Sequence, residues 1–142
     1  MTAIAEDQTT PLTAVPSATQ DALALGARLL LAALFILAGV NKIGAAESTI
    51  GYIGSVGMPF PQVVFAATVA LEIIGGLMLV IGLKTRSAAL ALGVFSIASA
   101  VVFHNDFADQ MEMTSFLKNL AIAGGMFAVA AFGPGRLSLD RR

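Results

Sequence analysis

Phe65–Val80 reads FAATVALEIIGGLMLV, an apolar run broken by a single carboxylate at Glu72. With its flanks it spans 62–83, close to the roughly 20 residues a helix needs to cross a bilayer. Each Leu, Ile, Val or Phe favours insertion by roughly 0.3–0.6 kcal/mol, and a central charge opposes it by about 2.5–3.5. About a dozen such apolar residues surround Glu72, so the segment inserts in spite of it. The carboxyl is then expected to face the interior of a bundle, paired or protonated. Thr68, Gly75 and Gly76 lie three or four positions away on the same helical face, a small, polar strip suited to close packing.

Composition extends this reading to the whole chain. Of 142 residues, 57% are hydrophobic and 12% charged, far from the roughly 25% charged of soluble domains. A soluble domain of this size cannot bury so much apolar surface. A net charge of −1 gives nucleic acid nothing to bind, and the absence of cysteine excludes disulfides and Cys-ligated metals. One histidine cannot make a bis-histidine haem site within one chain.

Four windows qualify as spans: Ala22–Val40, Gln62–Leu83, Arg86–Phe103 and Thr114–Phe132. Residues 1–20 read as a flexible tail, 21–135 as the membrane domain and 136–142 as a C-terminal tail. The leader is long and lacks Lys and Arg, unlike a cleaved signal, so the first span is expected to remain. Ile50, Ile53 and Val56 suggest a short interfacial helix between spans 1 and 2, anchored by Tyr52. The expected fold is thus an all-α, integral membrane four-helix bundle. Lys84, Arg86, Arg136, Arg141 and Arg142 fall on the side of the two termini, which the positive-inside rule makes cytoplasmic.

The candidate polar site joins Arg28, Lys42, Glu72, Lys118 and Asn119. At about 1.5 Å per residue from the outer ends, His104 lies at the surface, Lys118 roughly 6 Å deep, Glu72 about 16 Å and Arg28 roughly 20 Å. These depths predict a Glu72–Arg28 ion pair, with Lys118 nearer the mouth of the same cavity. An internal salt bridge that fixes bundle register explains the pattern as well as a quinone-head-group or proton-accessible site does. His104, Asp106 and Asp109 have the donor types of a metal site but read as a solvated acidic loop, and no structural metal is expected. GPGRLSLD (Gly133–Asp140) lacks the Lys of a phosphate-binding loop.

Four pieces in order, RLLLAALFILAGVNKI (Arg28–Ile43), ALEIIGGLMLVIGLKTRSAAL (Ala70–Leu90), FLKNLAIAGGMF (Phe116–Phe127) and GPGRLSLD, resemble the DoxX family of membrane proteins. The resemblance implies a four-helix protein of about this length. It also implies an association with redox-enzyme partners: a thiosulfate:quinone oxidoreductase, or an oxidative-stress complex with a superoxide dismutase and a sulfurtransferase. It supplies no catalytic triad, and Arg28, Lys42, Glu72, Lys118 and Asn119 match its recurrent polar positions. Three functions follow for comparison: the membrane subunit of a redox complex with quinone as ligand, a ligand-free scaffold or integrity factor in the lipid bilayer, and a small-solute or proton conduit. Inverted repeats and broken spans, the marks of a transporter, are not evident.

Overall fold

The computed structural model describes residues 17–140, and helices alone make up the regular structure among them. They are α1 (Ser17–Gly44), α2 (Ala46–Ser55), α3 (Pro61–Ile81), α4 (Thr85–Phe103) and α5 (Gln110–Phe132). All but α2 are long and apolar enough to cross a membrane. The expected short helix between the first two spans is α2, with Ile53 buried beneath it. Of the expected N-terminal tail, 17–20 are already helical and 1–16 lie outside the described residues, as do 141–142.

Small residues decide how the spans meet. A Cβ at Gly76 would stand 2.6 Å from Ile36 on α1, and one at Gly75 would stand 3.0 Å from Leu92 on α4. The glycine pair therefore lets α3 lie close to both neighbours, and Gly39 returns the favour to Ile73. Around this contact Ala32, Phe35, Leu79, Ala89, Leu92 and Met126 form a buried core. Large side chains such as Leu30, Leu37, Val63 and Phe132 point outward, as lipid-facing residues should.

The α3–α4 turn is tight. Gly82 (φ 70°) and Lys84 (φ 46°) both take the left-handed conformation, which costs little for glycine and more for lysine. A Cβ at Gly82 would also collide with Ser138. The segment after α5 folds back over this turn and completes its hydrogen bonding. Leu139 N–H donates to Ile81 O (3.2 Å), and Asp140 N–H to Gly82 O (2.8 Å). The Asp140 carboxylate accepts from the amides of Lys84 (2.6 Å) and Thr85 (2.8 Å), capping α4 from a distant part of the sequence.

Burial works against the charge on Asp140, but the amides of Thr85 and Lys84 and the Arg28 guanidinium outweigh it and lower its pKa. A lowered carboxyl stabilises the fold fully above the ordinary aspartate value of about 3.9 and loses that contribution as pH falls through the folded-state value. Asp140→Asn should therefore cost about 1 kcal/mol at neutral pH and flatten the acid limb of the stability curve. Thermal unfolding of both proteins in detergent across that range checks this. Parallel acid limbs would remove Asp140 from the account.

Candidate functional site

Arg28 lies within α1 and is 1% exposed, so its charge must be met locally. Its Nε donates to Leu79 O (3.0 Å), Nη2 to Val80 O (3.2 Å), and Nη1 to Pro134 O (2.8 Å) and Leu137 O (2.9 Å). Leu79 and Val80 belong to the last turn of α3, whose carbonyls have no partner within the helix. One planar fork thus caps α3 and pins the segment 134–137 across it. Alongside, Arg136 binds Asp21 through Nε (2.7 Å) and its backbone amide (2.8 Å).

The expected Glu72–Arg28 pair does not form. Glu72 instead accepts from Lys42 Nζ at 2.8 and 3.0 Å through its two oxygens. The cause is the length of α1. It runs past Val40 to Gly44, which moves Arg28 roughly 6 Å further from the α2 end. Lys42 follows Phe35 and Gly39 on the buried stripe of α1, and its flexible stem reaches down to the carboxylate. The Glu72 side chain is only 4% exposed, whereas that of Lys42 is 30% exposed.

The pair lies in a cavity of about 180 Å³ that also takes Thr49, Tyr52, Thr68, Phe95, Ser99, Phe103 and His104 into its lining. Tyr52 spans from α2 to α4: its hydroxyl donates to Phe103 O (3.1 Å), and the two rings stand 5.6 Å apart. His104 Nδ1 is 2.8 Å from Glu112 Oε2 on α5. The site is therefore assembled by α1, α2, α3 and α4, with α5 supplying the carboxylate behind His104.

Lys118 and Asn119 are not brought to this cavity. α5 begins at Gln110, four residues before Thr114, and its buried face runs through Ala123, Met126 and Val129. Asn119 turns back to its own helix, donating to Ser115 O (3.0 Å), while Lys118 is exposed one position off that face. The role expected of Lys118 near the mouth falls to His104 and Glu112. Glu112 reads in the sequence only as one of the outer-loop charges and not as a site residue, although its eight-residue spacing from His104 across a short connection was a usable signal. Nor do the acidic loop residues converge on a common point. Asp109 caps α5 through the amides of Met111 (2.7 Å) and Glu112 (3.1 Å), and Asp106 accepts from Ala108 N–H (3.1 Å). No cluster of three or more His, Asp or Glu suited to a metal occurs among the described residues.

Four apolar spans around a buried acid–base pair, tied off by a returning C-terminal segment, define a small polytopic helical membrane protein. The chain belongs to the DoxX family, whose profile matches residues 23–105, a stretch that includes Arg28, Lys42, Glu72 and His104. It is 38% identical over 122 residues to the Escherichia coli inner membrane protein YqjF, covering 86% of this chain and 92% of the relative. The E. coli inner membrane protein YphA is 32% identical over 130 residues, covering 88% and 93% respectively. A more partial similarity, 35% over 80 residues, is to the ER-derived vesicles protein ERV29 of Saccharomyces cerevisiae, with 53% of this chain and 26% of that protein covered. No solved structure matches. Family, relatives and spans together make this a multi-pass inner-membrane protein.

Proposed function

We propose that this chain is the integral membrane subunit of a redox complex and that the Lys42–Glu72 cavity receives a quinone head group. The observation that supports this most is the cavity's make-up: an ammonium, a carboxylate, an imidazole and three aliphatic hydroxyls beside the rings of Phe95, Phe103 and Tyr52. Its volume of about 180 Å³ is below the roughly 300–1,000 Å³ of sites for drug-sized ligands. That suits one substituted ring, with an isoprenoid tail left in the lipid. Quinone carbonyls accept hydrogen bonds, and Lys42 supplies donors at the cavity wall. Electrons would come from a partner enzyme, since the chain has no cysteine and a single histidine for holding a metal cofactor of its own.

Both termini are assigned to the cytoplasm, following the basic residues at that end. Ser48→Cys, near the start of α2, should react with an impermeant thiol reagent in intact cells, and protection there would invert the assignment. For the ligand, the full chain purified in mild detergent should retain quinone in its lipid extract, and Lys42→Met should reduce the quinone-to-protein ratio at least tenfold. Equal quinone in parent and variant would sink this reading and favour a ligand-free scaffold.

A further inference from the structure

The Lys42–Glu72 pair shares its cavity with His104, whose Nδ1 contacts Glu112 and so makes a second acid–base pair. Each helical element directs one titratable group toward this region: Lys42 from α1, Tyr52 from α2, Glu72 from α3, His104 at the end of α4 and Glu112 from α5. The pair at the mouth is partly solvated, with His104 and Glu112 side chains 25% and 35% exposed. Glu72, at 4%, is almost sealed. The cavity offers a proton a route between Glu72 and the water at the α2 end, beside the one through the 30%-exposed Lys42.

The lining can carry it. Thr49 and Tyr52 have committed their hydroxyls to Ala45 O (2.8 Å) and Phe103 O (3.1 Å). Thr68 and Ser99 make no hydrogen bond to the described protein, and both line the cavity. Thr68 sits one helical turn from Glu72, and Ser99 lies between the core of α4 and His104. Two free hydroxyls, a carboxylate and an imidazole give water the several polar partners it needs. The cavity's roughly 180 Å³ exceeds several times the roughly 30 Å³ that one water occupies in the liquid. At the mouth, the 2.8 Å contact from Glu112 fixes the His104 ring through Nδ1. An imidazole has two ring nitrogens, and a carboxylate held on one of them leaves the other to face the cavity.

We propose that the cavity is a hydrated proton path from the α2-end surface to Glu72, with the His104–Glu112 pair as its gate. The inference rests on the reading of this cavity as the functional site, where quinone reduction takes up protons along with electrons from the partner. The path itself is a property of this chain and is testable without that partner.

The natural absence of cysteine makes the test direct. Ser99→Cys in the reconstituted full chain should react with a small water-borne methanethiosulfonate at least tenfold faster than Leu77→Cys, which faces outward on α3. Adding His104→Phe should slow Ser99→Cys at least tenfold. Labelling at the Leu77→Cys rate, or indifference to His104→Phe, would overturn the path or its gate. If His104→Phe fails to fold, His104→Gln keeps a polar side chain of similar reach. In that variant the Glu72 carboxyl, followed by infrared spectroscopy after a pH jump in liposomes, should change protonation at least tenfold more slowly than in the parent. An unchanged rate, or a Glu72 band insensitive to pH in the parent, overturns the proton role. Protection of Ser99→Cys by a short-chain quinone is a separate readout. Fast labelling without protection counts against quinone while upholding the path, whereas no labelling removes the path whatever quinone does.

Discussion

Arg28→Met should destabilise the bundle by at least about 3 kcal/mol, measured by unfolding in mixed micelles. Methionine keeps much of the length and the apolar stem, so the loss isolates the guanidinium. Four carbonyls lose their donor at once, two of them in the last turn of α3 and two in the returning segment. A buried acceptor left unsatisfied costs about 1–3 kcal/mol, and hydrogen bonds to charged groups are at the strong end of the range. Arg28→Lys should recover less than half, because one ammonium cannot replace a planar fork that serves four oxygens. The segment after Gly133 should also become protease-sensitive in both variants. Interhelical hydrogen bonds in membranes average only about 0.6 kcal/mol. A loss below about 1 kcal/mol would place Arg28 among those ordinary contacts and refute the clamp.

The second large effect is asymmetric. Lys42→Met strands a carboxylate that is 4% exposed and should cost about 3–5 kcal/mol. Glu72→Gln should cost less, because Lys42 is 30% exposed and can turn its ammonium toward the α2-end surface. The double variant removes both charges and should regain most of the loss, since a neutral replacement for a buried pair is often tolerated. Stability measured around the full cycle should show a coupling of at least about 1 kcal/mol, and additivity within about 0.5 would exclude the pair. Quinone retention in the double variant then separates roles. If the pair only fixes the bundle, retention returns with stability; if it serves the ligand, retention stays low.

The spans were legible because the apolar runs are long and their ends marked, and α3 and α4 agree with the sequence reading to within about two residues. What misled was the end of α1. Asn41 and Lys42 look like a stop, yet the helix continues because Lys42 finds a partner inside the bundle. That extra turn was enough to exchange one cation for another at Glu72. Arg28 could not be placed for a different reason. Its partners are backbone carbonyls, which every residue type possesses, so no pattern of side chains announces them. The role of Asp140 was equally hidden, since capping across more than fifty residues has none of the local spacing of an ordinary N-cap. Lys118 shows the limit of counting depth alone. Depth says how far along a helix a charge lies, whereas rotation about the axis decides which side it meets.

The returning segment also bears on how the protein is made. Gly133–Asp140 follows the fourth span in the chain, so the ribosome delivers it only after all four spans have been synthesised. Until then Arg28, the last turn of α3 and the amides of Lys84 and Thr85 lack the partners that this segment brings. A nascent chain therefore carries unpaired polar groups at one membrane face throughout most of its insertion. Once the stretch after the fourth span has been made, Arg28 and the amides of Lys84 and Thr85 gain the partners that close this face of the bundle.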